Sequence, residues 1–150
     1  MKPYRECVVA VIVNEEGAVF SGERADRPGI WQLPQGGVDE GEIPEDAVLR
    51  ELREEIGSDE VEILKVLPDK ISYEFPDSLK AAIAQKYRGQ TQTWFLMRFK
   101  EGASPSIEKS DKEFAALSWR KPDDLLAGIV SWKEEAYKLG LSALNLIEGA

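Results

Sequence analysis

The chain has 150 residues, 43% apolar and 31% charged, the proportions of a soluble globular protein with room for a sizeable core in one domain. The absence of histidine excludes zinc–histidine and serine–histidine chemistry, and a net charge of -9 argues against broad electrostatic capture of nucleic acid. No apolar run approaches the ~18 residues of a membrane span, and Cys7, the single cysteine, permits no internal disulfide, so a reducing cytoplasm is the expected setting.

Residues 7–13 are a continuous, largely β-branched run and predict a strand buried on both faces, with Cys7 a small buried residue inside it. Residues 14–17 predict a turn and residues 18–20 a return strand. A loop, RADRPG, follows at residues 24–29, and residues 31–33 predict a short extended segment that runs through Pro34 and Gln35 into Gly36.

Residues 36–57 read GGVDEGEIPEDAVLRELREEIG. Pro44 suits a first helical residue and Gly57 a helix stop, so a helix is predicted from Pro44 to Ile56. At ~100° per residue Glu51, Glu54 and Glu55 share one face, Leu49, Leu52 and Ile56 gather on another, and Val48 falls on the border. Like charges at that spacing repel by roughly 0.2–0.5 kcal/mol per pair even in solvent. A hard divalent cation such as Mg²⁺ or Mn²⁺, shared between carboxylates and substrate phosphates, would offset the repulsion. Ala47, one turn before Glu51, would keep the acidic face uncrowded. Arg50 can reach Glu54 or turn back to Glu42, and either pairing would hold a carboxylate in place. Ten of the 28 acids lie between Asp39 and Glu60, so much of the negative excess belongs to this region.

Residues 61–67 predict a strand and residues 71–75 a half-buried one. The connection that Pro76 opens carries Lys80, Lys86 and Arg88 and no acid between Ser78 and Gln90. It reads either as a solubilising loop or short helix, or as a phosphate clamp over the metal site. Residues 91–99 predict a central strand, residues 101–112 a loop, residues 113–119 a further strand and residues 122–126 a helical turn. Ser131 or a neighbour would cap a last helix to about Ile147, with Trp132, Ala136, Leu139, Ala143 and Leu146 as its apolar side and Gly140 weakening it midway. Read alone, Lys133 is a solvated residue of that helix and Trp132 a core residue.

The spacing of Gly36, Glu42, Arg50, Glu51, Leu52, Glu54, Glu55 and Gly57 resembles the Nudix box, the signature of hydrolases of nucleoside diphosphates linked to a further group; Ser58 stands where the box ends on an apolar residue. Residues 31–37, 73–76, 89–95, Glu113-Phe114 with Trp119, and residues 130–133 are similar to the branch containing bacterial RNA pyrophosphohydrolase and the dinucleoside polyphosphate hydrolases. The resemblance implies an α/β fold, the Nudix α/β/α sandwich with a mixed β-sheet. It implies Mg²⁺ held by Glu51, Glu54 and Glu55 with the Gly36 carbonyl, and Glu113 completing the site from a neighbouring loop. It further implies that Arg5 and the basic segment with Lys86, Arg88 and Gln90 touch substrate phosphates, and that Val130, Ser131, Trp132 and Lys133 border the nucleotide pocket. Trp132 stands where that last motif usually carries phenylalanine.

The implied reaction is metal-dependent in-line attack of water at phosphorus, with a free glutamate as general base: Glu54, Glu55 or Glu113. Its substrate is 5′-triphosphorylated RNA, losing pyrophosphate, or a dinucleoside polyphosphate; the acidity leans towards the small nucleotide. Two other readings compete: a housekeeping hydrolase of nucleoside triphosphates or nucleotide sugars, and a retired nucleotide-binding module. Every box carboxylate is present, which counts against the second.

Overall fold

The computed structural model describes residues 1–148. Its elements run β1 (Tyr4–Ile12), β2 (Val19–Arg24), β3 (Trp31–Gln32), β4 (Gln35–Gly37), α1 (Pro44–Ile56), β5 (Val61–Val66), β6 (Ile71–Glu74), α2 (Ala82–Lys86), β7 (Gly89–Phe99), β8 (Phe114–Arg120), α3 (Pro122–Ala127) and α4 (Glu134–Ala143). The central sheet has the order β4-β1-β7-β5, with β6 also on β7. Only β1 and β7 are parallel, so the sheet is mixed.

Alternation along β1 explains why residues 7–12 are apolar throughout. Val8, Ala10 and Ile12 join Phe95, Met97 and the α1 residues Ala47, Val48, Leu52 and Ile56 in one core. Val9 and Val11 point the other way, to Trp94, Leu125, Tyr137 and Leu141. Helices therefore cover both faces, the predicted three-layer arrangement, and Cys7 is buried within it. Among the described residues no helix is long and apolar enough to cross a membrane.

The return strand does not form a hairpin with β1. β7 pairs with β1 along its whole length and β4 takes the other edge at Cys7, Val8 and Val9, while a bridge between Val13 and Val19 joins the returning chain just beyond β1. β2 instead enters a second, antiparallel sheet in the order β3-β2-β8, where Phe20 packs edge-on against Trp119 and Phe99.

Helix α1 has the predicted bounds, with Pro44 in its first turn and Gly57 closing it at φ 70°, a left-handed conformation that glycine adopts without strain. Its buried side is wider than the sequence stripe. Val48 lies in the core rather than at its border, Ala47 is buried with it instead of flanking an open acidic face, and Leu49 is only partly buried.

The last helix differs more. Residues 131–133 form a 3-10 turn, the Ser131 side chain makes no capping bond, and α4 starts at Glu134. It stops at Ala143 because Asn145 turns left-handed at φ 61°, with Leu146 N–H donating to the Leu141 carbonyl at 2.9 Å. The buried residues are Ala136, Tyr137, Gly140 and Leu141, while Leu139 and Ala143 are exposed. Gly140 is the contact point of the helix, since a Cβ there would overlap the buried Trp94 indole. We expect Gly140→Ala to lower stability by about 1–2 kcal/mol, since a Cβ set against a buried ring takes an overpacking cost of ~2–3, offset by the ~1 of better helix propensity. The urea midpoint measures it; an unchanged midpoint contradicts the close contact.

Candidate active site

The acidic wall of the site is built by α1 and two short neighbours. Gly36 in β4 lies so close to α1 that a Cβ there would overlap the Glu51 carboxyl group. One residue earlier, the Gln35 N–H donates to Glu55 Oε1 at 2.8 Å. Glu113 arrives from the start of β8, where its carbonyl accepts the Ala25 N–H at 3.0 Å and the adjacent Phe114 ring fills the space left by Gly22. Glu51 and Glu55 are largely buried, whereas Glu54 and Glu113 are open to solvent.

Arg50 makes both of the pairings the sequence allowed. Its Nε and Nη2 donate to Glu42 at 2.9 and 3.0 Å, and its Nη1 donates to Glu51 at 2.9 Å and to Glu54 at 3.2 Å. Nη2 also reaches the Gly37 carbonyl at 2.7 Å. One guanidinium thus ties the loop before α1 to two carboxylates on its face. Its hydrogen bonds, with the Asp39 N–H, hold the Glu42 carboxyl down at about 2. Burial wins over Arg50 at Glu51, which is pushed up to about 7, with Glu54 and Glu113 adding repulsion. Burial also raises Glu55 well above the carboxylate range, helped by a hydrogen bond shared with Glu113 and by the charge of Glu51.

These carboxylates line a cleft of about 630 Å³. Arg5, Arg24, Arg27, Lys112 and Lys133 line the same cleft, with Asp26 paired to Arg24 at 2.7 Å, so acidic and basic groups share it. Lys133 is buried rather than solvated, and burial lowers its ammonium to about 8, with Arg24 acting in the same direction and Glu55 opposing. Trp132, Gln90 and Tyr73 also border the cleft, with the Tyr73 hydroxyl donating to Gln90 Oε1 at 2.7 Å.

Of the residues singled out in the sequence, the fold brings together Arg5, Gly36, Glu51, Glu54, Glu55, Gln90, Glu113, Trp132 and Lys133. Arg50 stands behind them as their tether. Val130 and Ser131 do not line the cleft, and neither do Lys86 and Arg88, whose segment contributes Leu79, Ala81 and Ile83 instead. Sequence reasoning missed Arg27, Lys112 and Gln35. The two arginines of RADRPG, close together in so acidic a chain, were the available signal for Arg27; the backbone role of Gln35 had none.

The donor set suits a hard divalent cation, because every side-chain ligand on offer is a carboxylate oxygen. Burial raises two of those carboxyls, with neighbouring carboxylates adding repulsion, and Gln35 Oε1 is buried with no hydrogen-bond partner. Among the described residues no three acids are already gathered as ligands. Arg50 holds Glu51 and Glu54, and the Gln35 N–H holds Glu55. Mg²⁺ keeps several waters and uses only one or two carboxylates beside substrate phosphates, so the residues fit it without a closed cage.

A family model described as NUDIX domain matches residues 3–140. RNA pyrophosphohydrolase of Wolbachia sp. subsp. Brugia malayi is 43% identical over 138 residues, spanning 90% of this chain and 86% of that protein. RNA pyrophosphohydrolase of Cereibacter sphaeroides is 42% identical over 141 residues, spanning 91% and 87%. The E. coli dihydroneopterin triphosphate pyrophosphohydrolase structure shares the fold, with a TM-score of 0.64 at 21% identity over 92% of this chain and 97% of that one. On the match across residues 3–140 and on these relatives, the chain belongs to the NUDIX domain family.

Proposed function

We propose that the chain is a Mg²⁺-dependent pyrophosphohydrolase that removes pyrophosphate from 5′-triphosphorylated RNA. The observation that carries this is the mixed cleft: Glu51, Glu54, Glu55, Glu113 and Asp26 share with five cations a space lined also by Trp132 and Tyr73. A polyphosphate can pair with those cations while a base leans on the aromatic side chains. The relatives named RNA pyrophosphohydrolase favour RNA over a dinucleoside polyphosphate.

Gly36, Glu51, Glu54, Glu55 and Glu113 would share the bound divalent cations, which would supply charge neutralisation on the phosphate oxygens and orientation of the attacking water. The chain's own residues do the rest. Arg5, Arg24, Arg27 and Lys133 bind the phosphates and keep them in line, with charge-assisted hydrogen bonds that strengthen as negative charge builds on the leaving oxygen. Glu55 takes the proton of the attacking water at the carboxyl oxygen not held by Gln35. Arg50 keeps Glu51 and Glu54 from turning away.

The test compares kcat/KM for triphosphorylated RNA and for diadenosine tetraphosphate under Mg²⁺ and identifies the products. Faster release of pyrophosphate from RNA supports the proposal, and faster splitting of the dinucleotide overturns it in favour of a small-nucleotide hydrolase.

Metal affinity carries a second prediction. Glu51 binds metal only when ionised, and its carboxyl sits at about 7 in the metal-free fold. Below that pH a proton must leave Glu51, so Mg²⁺ affinity should fall at least about tenfold per pH unit, with Glu55, whose carboxyl is also raised, adding to the slope. Calorimetry in two buffers of different ionisation enthalpy would show proton release at pH 6. A pH-independent affinity between 5 and 7 contradicts the assignment of Glu51 as a ligand.

A further inference from the structure

The segment between Pro76 and Gly89 has two sides. Leu79, Ala81 and Ile83 line the cleft, while Lys80 and Lys86 are exposed and Arg88 lies half-buried beyond the cleft wall. The two sides are immediate neighbours, because the N–H of Phe75, a cleft residue, donates to the Arg88 carbonyl at 2.9 Å. The start of β1 adds positive charge to the same place. The Arg88 N–H donates to the Pro3 carbonyl at 3.0 Å, and Lys2 Nζ donates to the Ala84 carbonyl at 2.8 Å.

Two of these cations rest on aromatic rings. The Arg88 guanidinium lies 4.8 Å from the centre of the Tyr4 ring, and Lys86 Nζ lies 5.5 Å from that of Tyr87. Glu74 pairs with Arg88 at 3.3 Å but is largely exposed, and such surface pairs yield readily to another anion. Arginine planes and aromatic rings stack with unpaired bases, and ammonium groups around them hold phosphates; this combination recognises single-stranded RNA. In a chain of net charge -9, a run of 13 residues, 78–90, without an acid beside the mouth of a phosphate-binding cleft calls for such a ligand.

We propose that Lys2, Lys86 and Arg88 form a track for the unpaired RNA that follows the 5′-terminal nucleotides, while the cleft alone handles the reacting phosphates. The track rests on the RNA activity proposed above. It assigns the basic segment to the body of the substrate instead of its 5′ end, and substrates too short to leave the cleft gain nothing from it.

The experiment uses the full chain with two Mg²⁺-supported substrates, a 5′-triphosphorylated dinucleotide and a 5′-triphosphorylated unpaired RNA of about 20 nucleotides. For Lys86→Ala with Arg88→Ala, KM on the long RNA should rise about tenfold with kcat unchanged, and turnover of the dinucleotide should stay within about twofold. The slope of log kcat/KM against log salt on the long RNA should flatten by about 1.4, the loss of two phosphate contacts to a single strand. The charge-preserving pair Lys86→Arg with Arg88→Lys should restore most of the KM. Equal effects on both substrates, or none on the long one, overturn the track. So do equal salt slopes of the wild-type protein on the two substrates, a readout that needs no variant. A wild-type protein that turns over neither RNA would overturn the RNA activity and the track together, whereas turnover of both with no length dependence would overturn the track alone.

Discussion

Replacing Glu55 with glutamine should lower kcat by about 10²–10⁴-fold, the range lost with a positioned general base, and leave the fold as stable as before or more so. The substitution keeps the shape, and the Gln35 N–H keeps its acceptor at Oε1. What disappears is the basic oxygen. Burial, Glu113 and Glu51 all work against a charge at Glu55, so the native protein carries an ionisable group that its own core disfavours. Removing it relieves that cost, and a raised Tm beside a collapsed kcat is the signature of a group kept for chemistry at the expense of stability. Near-normal turnover would sink the role given to Glu55.

Arg50→Lys should have the next largest effect, a loss of about 10–100-fold in kcat/KM, as when the support behind metal ligands is removed elsewhere. Lysine keeps the charge but has no planar fork, and it cannot span Glu42, Glu51, Glu54 and the Gly37 carbonyl together. We expect about 2 kcal/mol of stability to go with the lost charge-assisted bonds. The acid limb carries a sign as well. Glu42 sits at about 2 when folded, below its ordinary 4.5, so its contribution is complete above 4.5 and vanishes as pH falls towards 2. The variant, with a weaker grip on Glu42, should unfold at a higher pH than the wild type. Identical acid unfolding and unchanged kcat/KM would contradict the tether.

Local chemistry made much of this molecule legible in its sequence. The bounds of α1 follow from Pro44 and Gly57, whose preferences are set by their own backbones. The double burial of β1 follows from an apolar run with no polar alternate. What the sequence hid depends on partners far along the chain. β2 pairs with β3 and β8 in a second sheet while β4 pairs with β1, and no feature of residues 18–20 reports it. The register of α4 turns on Gly140 meeting Trp94, so a residue that reads as a weak point is a contact. Lys133 follows the same logic, since its burial comes from the cleft it closes rather than from its neighbours in sequence. At the site, the carboxylates were readable because a helix places them by periodicity. The cations of the cleft come from separate places, Arg5 and Arg24 from strand ends and Lys133 from the 3-10 turn, so no one periodicity places them.

Mn²⁺ binding followed by electron paramagnetic resonance, with RNA turnover measured on the same samples, tests most directly whether the box carboxylates form a metal-dependent hydrolytic site. Metal-stripped wild-type protein should bind Mn²⁺ and regain pyrophosphate release as the ion is added. Glu51→Gln with Glu55→Gln should lose both together while its thermal unfolding stays cooperative. Turnover that survives stripping, or Mn²⁺ binding that the double variant retains in full, would contradict the account.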